Sequence, residues 1–110
     1  KRIEKILYLP GTPFNLAFVE NKIYITHYND LAPSNLYNKV SIIDATSYEI
    51  EKIIDVGKGP IDICYSKSLG KVYTANLEEN SVSVIDTKLQ KTIKTIPTHQ
   101  ILTGAIRCTE

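Results

Sequence analysis

The chain has 110 residues, of which 43% are hydrophobic and 23% charged, with a formal net charge of +1. This is the composition of one folded domain and not of a disordered segment. Lysines are scattered among carboxylates without a basic stripe, so the electrostatic footprint of a nucleic-acid binder is lacking, and no apolar run reaches the ~18 residues of a membrane span.

Taken in order, the opening Lys1-Arg2-Ile3-Glu4-Lys5 has no apolar stretch behind it, so no secretory leader is expected in these residues. Strands are expected at 14–19, 22–27, 39–44 and 49–56, then again at 61–66, 71–76, 81–86 and 91–96. The seven tyrosines and the recurring Ile, Val and Thr favour strands, and the breaks carry turn formers: Glu20-Asn21, Gly57-Lys58-Gly59-Pro60 and Lys67-Ser68-Leu69-Gly70. Several strands are apolar on both faces. Phe14, Leu16 and Phe18 oppose Ala17 and Val19, and Val40 and Ile42 oppose Ile43. A sheet with one wet face would alternate apolar and polar; two-sided strands suit sheets stacked on both sides. The cysteines, Cys64 and Cys108, have neither a metal-type nor a redox-type spacing and make no disulfide framework. Cys64, within Ile61-Asp62-Ile63-Cys64-Tyr65, reads as a small buried hydrophobe.

The chain repeats itself. Pro13-Phe14-Asn15-Leu16-Ala17-Phe18 aligns with Pro60-Ile61-Asp62-Ile63-Cys64-Tyr65, and Lys22-Ile23-Tyr24 with Lys71-Val72-Tyr73. Asn38-Lys39-Val40-Ser41-Ile42-Ile43-Asp44 aligns with Asn80-Ser81-Val82-Ser83-Val84-Ile85-Asp86, and Ile3-Glu4-Lys5-Ile6 is identical to Ile50-Glu51-Lys52-Ile53. Allowing for the longer loop of the first copy, the period is roughly 40–45 residues with four strands per unit, which is the mark of a propeller blade. The expected architecture is all-β: a partial β-propeller of two four-stranded antiparallel blades with an extra N-terminal strand. Residues 1–9 form the last strand of a preceding blade, 10–56 blade one, 57–97 blade two, and 98–110 a tail or the start of a third blade.

Lys71-Val72-Tyr73-Thr74-Ala75-Asn76, followed by Asn80-Ser81-Val82-Ser83-Val84-Ile85-Asp86-Thr87, closely resembles the YVTN β-propeller repeat, and Gly57-Lys58-Gly59-Pro60 resembles that family's Gly-x-x-Pro connection between blades. The first copy departs from the pattern at Ile25-Thr26-His27 and in its loop. The resemblance implies a larger ring of about seven blades serving mainly as a binding platform, in an extracytoplasmic or cell-surface setting. Partners would then be the remaining blades, or further copies through self-association. Some relatives carry redox subunits or hydrolyse lactones, so a piece of a propeller enzyme or redox subunit with its active groups on other blades is the alternative.

In a four-strand meander, the connections before Pro13 and Pro60 share one end with the loops at 28–38 and 77–80. That end carries the one large difference between the copies: Tyr28-Asn29-Asp30-Leu31-Ala32-Pro33-Ser34-Asn35-Leu36-Tyr37 adds tyrosines, amides and a carboxylate. Loops on rigid scaffolds often carry recognition, and they also tolerate neutral variation. The candidate contacts for a protein or small-molecule ligand are His27, Tyr28, Asn29, Asp30, Tyr37 and Asn76. His27 with Asp30 would be half a metal site; a hydrogen-bonding residue at a strand end is the plainer reading, so no metal and no cofactor are assigned. Asp44 and Asp86 recur at one repeat position and read as caps of the following turns. Tyr24 and Tyr73 recur likewise and read as packing residues. No nucleophile elbow, phosphate loop, zinc helix or haem-attachment motif is present, so no residue is assigned a catalytic role.

Overall fold

A computed structural model of the chain describes residues 13–27, 37–98 and 106–108. The expected strand at 1–9, the candidates Tyr28, Asn29 and Asp30, and most of the 98–110 tail lie outside the described residues. Eight strands follow in order: β1 (Pro13–Val19), β2 (Lys22–His27), β3 (Lys39–Asp44), β4 (Ile50–Asp55), β5 (Pro60–Ser66), β6 (Lys71–Asn76), β7 (Ser81–Asp86) and β8 (Lys91–Pro97). They form two four-stranded antiparallel meanders, β1-β2-β3-β4 and β5-β6-β7-β8. The fold is all-β, a partial propeller of two blades.

The internal repeat extends to the irregularities. β1 and β5 each carry a register shift just after their proline, between Pro13 and Asn15 and between Pro60 and Asp62. The outer hairpins each shift at Ile42/Ile43 and at Val84/Ile85. Asp44 Oδ1 accepts the N–H groups of Thr46 and Ser47, and Asp86 Oδ1 accepts those of Lys88 and Leu89. These side chains therefore replace backbone acceptors inside tight turns. The turn hydrogen bonds, with Lys22 and Lys71 as respective ion partners, hold both carboxyls below the usual carboxylate range.

Strand alternation assigns each side chain to a face. On blade one, Ala17, Val19, Tyr24, Val40, Ile42 and Ile54 share the face turned to blade two. There they form one buried cluster with Ile63, Val72 and Ile85, flanked by Val56 and Tyr65. β1 lies against β5, whereas β4 meets β8 only sparsely. The blades thus diverge from a shared inner edge, as wedges of a ring do.

The opposite face of blade one carries Phe14, Leu16, Phe18 and Ile53, which are 56%, 47%, 68% and 40% exposed. Repeat alignment puts this face in the place of the Ile61, Ile63, Tyr65 and Val72 face of blade two, the face that blade one covers. Completing the burial of four half-exposed side chains is worth on the order of 4 kcal/mol. The isolated chain is therefore expected to self-associate, and Phe14→Asp with Phe18→Asp to shift it towards monomer in sedimentation. A monomer at high concentration with a concentration-independent melting transition would contradict this.

One expectation is corrected. Cys64 is not a lone core residue: it is bonded to Cys108 across 44 positions, with Cα atoms 5.6 Å apart. Sequence separation gave no hint because the approach of residues 106–108 to β5 is a tertiary event.

Candidate functional site

The loop end is built on the connection between the blades. Val56 N–H donates to the Asn38 carbonyl (2.9 Å) and Gly59 N–H to the Tyr37 carbonyl (3.0 Å), which ties the connection to blade one. On its other side, the Gly59 carbonyl accepts Leu77 N–H at 2.7 Å and the Lys58 carbonyl accepts Glu78 N–H at 3.2 Å. Gly59 has φ +70°, a left-handed conformation that suits glycine, and a Cβ there would stand 2.9 Å from Glu78 Cγ.

Asn76 is fully buried at the end of β6 and organises the surrounding backbone. Its amide nitrogen donates to Ser81 Oγ (3.0 Å) and Ser83 Oγ (2.9 Å), and its Oδ1 accepts the Thr74 hydroxyl at 3.0 Å. Ser83 Oγ also accepts Gly57 N–H at 3.0 Å, while Glu79 accepts from Ser81 Oγ and Lys58 N–H. A Cβ on Gly57 would come within 2.8 Å of the Asn76 amide carbon. The first glycine of the connection is thus required by the close approach of its backbone to Asn76.

His27, the repeat equivalent of Asn76, is also fully buried, with Nε2 2.7 Å from Ser41 Oγ; Ser41 is the equivalent of Ser83. Both copies therefore end β2 or β6 with a buried polar side chain held by a serine on the next strand. Of the other candidates, Tyr37 is half-buried and its carbonyl anchors Gly59. The structure brings His27, Tyr37 and Asn76 to one end of the two blades. Among the described residues, no three His, Cys, Asp or Glu side chains come together.

Sequence reasoning missed the serines. Ser41 and Ser83 occupy the same repeat position on strands otherwise filled by Ile and Val, and that periodic polar interruption was the available signal. It also missed Asp62, whose Oδ1 accepts Asn15 Nδ2 (2.7 Å) and whose Oδ2 accepts Ile106 N–H (3.0 Å).

No helix among the described residues is long and apolar enough to cross a membrane. No protein-family model and no curated protein sequence matches the chain. Solved structures do. The chain resembles the hydrazine synthase of Kuenenia stuttgartiensis at TM-score 0.73 and 21% identity, over 97% of this chain and 29% of that one. It also resembles AztD from Citrobacter koseri: the apo structure at TM-score 0.69 and 17% identity over 86% of this chain and 26% of that one, and a second crystal structure at 0.68 and 16% over 88% and 27%. The chain spans less than a third of each of these proteins, and at such identities the likeness is one of fold: two stacked blades of a β-propeller.

Proposed function

We propose that the chain is a non-catalytic, two-blade segment of a YVTN-type propeller, acting as a binding scaffold whose recognition element is the loop at 28–37. The observation that carries this reading is the anchoring of that loop's base. His27 at one end is buried against Ser41, and Tyr37 and Asn38 at the other hold the inter-blade connection through their carbonyls. A rigid base lets a long insertion present side chains without ordering the whole loop on binding. On this reading Tyr28, Asn29, Asp30 and Tyr37 meet the ligand, a protein or small polar molecule, while His27 and Asn76 support them. The uncovered apolar face of blade one supports the companion proposal that further blades complete the ring.

Shortening residues 28–37 to the length of the 77–80 turn is expected to abolish binding of a partner captured by the full protein, about a hundredfold or more in Kd, with the circular dichroism spectrum unchanged. Unchanged affinity removes the loop from the recognition surface. A second reading, a segment of a propeller enzyme or redox subunit with its active groups on other blades, takes its support from hydrazine synthase, which by its name is an enzyme. Locating carboxylates, histidines or haem-attachment motifs elsewhere in the full reading frame would favour it.

A further inference from the structure

The inner edge of the molecule shows a succession. Asn15 on β1 and Asp62 on β5 hold the same repeat position on successive inner strands, and Asn15 Nδ2 donates to Asp62 Oδ1 at 2.7 Å. The other oxygen of Asp62 accepts the N–H of Ile106 at 3.0 Å. Thr98 directly follows the outer strand of blade two, with its N–H on the Asn80 carbonyl, yet residues 106–108 lie back at the innermost strand. The connection at 56–59 makes the same journey from the outer β4 to the inner β5.

Cys64 sits where this path is fixed. Its repeat equivalent, Ala17, is a small residue packed against the cluster between the blades. In blade two the same face-forward position carries a sulfur bonded to Cys108. Beside it lies a cleft of about 300 Å³ lined by Leu69, Tyr73, Ile106 and Arg107. The chain has only two cysteines, and both are in this bond. Within these 110 residues no thiol remains to mispair, and disulfides of this kind persist in oxidising compartments and are rare in a reducing cytosol.

We propose that the Cys64–Cys108 disulfide is a structural staple, formed in an oxidising compartment, that commits residues 106–108 to the position of the next inner strand. In forming it, one cysteine thiolate attacks the disulfide of an oxidant, a protein or small-molecule disulfide, and releases one of its sulfurs as thiolate. The second cysteine then displaces the other sulfur from the mixed disulfide. Two protons leave the cysteines, and the two electrons they lose reduce the oxidant to a dithiol. The inference does not depend on any ligand at the loop end.

The test uses the full protein folded under oxidising conditions. Alkylation without reduction is expected to label neither cysteine, and digestion to yield a peptide pair joined through Cys64 and Cys108; reduction should expose both. The reduced protein and the Cys64→Ala/Cys108→Ala variant are then compared with the oxidised form. A fall in Tm on the order of 10 °C is expected, with trypsin cleavage after the exposed Arg107 accelerated about tenfold or more as local opening becomes easier. Should the variant fail to fold, reduction of the folded wild-type protein gives the same readouts, and unfolding on reduction alone supports the staple. Cys64 or Cys108 found as a free thiol in the oxidised preparation, or equal Tm and equal cleavage in both redox states, would overturn the proposal.

Discussion

Replacing Tyr24 by alanine is expected to cost about 3–5 kcal/mol, the range for deleting a large buried aromatic side chain. Tyr24 is 1% exposed and stands between Ala17 on β1 and Ile42 on β3, in the cluster that joins the two blades. Burial also pushes its phenol up to about 12, so it is neutral at ordinary pH. Against a total stability on the order of 5–15 kcal/mol for a domain, such a loss leaves the seam barely closed. Tyr73 supplies the control. It holds the same repeat position, but it lies on the opposite side of blade two from the seam and is only half-buried. Tyr73→Ala is expected to cost about 1–2 kcal/mol, since less apolar area leaves water on folding. Denaturant unfolding of the two variants in the complete protein decides the matter, and equal losses would mean that Tyr24 is not the keystone of the seam.

The second large effect is expected at Gly57. Gly57→Ala places a methyl group against the Asn76 amide, which cannot retreat without giving up its hydrogen bonds to Thr74, Ser81 and Ser83. Overpacking costs roughly 1–3 kcal/mol, and each buried polar group left without its partner adds about 1–3 kcal/mol. A total of about 3 kcal/mol or more follows. A double-mutant cycle isolates the cause. In an Asn76→Ala background the only close obstacle left is the end of the flexible Glu79 side chain, whose Oε2 lies 2.9 Å from the added carbon and can swing aside. Gly57→Ala should then cost under about 1 kcal/mol. Additive losses would place the strain elsewhere.

This pair of residues also shows how far the site could be read from the chain alone. Gly57 was legible as part of a turn and Asn76 as a candidate contact at the loop end. Neither reading contained the fact that one packs on the other. They are separated by all of β5 and β6, and their approach depends on where the connection crosses the blade. His27 was set apart as a departure from the repeat, yet it makes the same bond to a β3 serine that Asn76 makes to a β7 serine. Two different side chains with a hydrogen-bonding nitrogen at matching reach can fill one structural role, a substitution that comparison by residue type hides.

What the amino-acid sequence determined by itself was everything governed by local spacing. Runs of β-branched and aromatic residues bounded by turn formers set the eight strands, aspartates at one repeat position set the turns, and the repeat length set the four-strand blade. These depend on residues within a few positions of one another, or on copying one unit, and both are visible in the letters. Tertiary structure alone decided which faces are covered, and so why Tyr24 is core while Phe14 and Phe18 stand in water. It also decided that Asn15 meets Asp62 and that Cys64 meets Cys108, pairs 47 and 44 positions apart. The first contact arises from the way one blade lies on the next and the second from the return of residues 106–108 to β5, and a side chain's identity specifies its face of a strand but not what comes to rest against it.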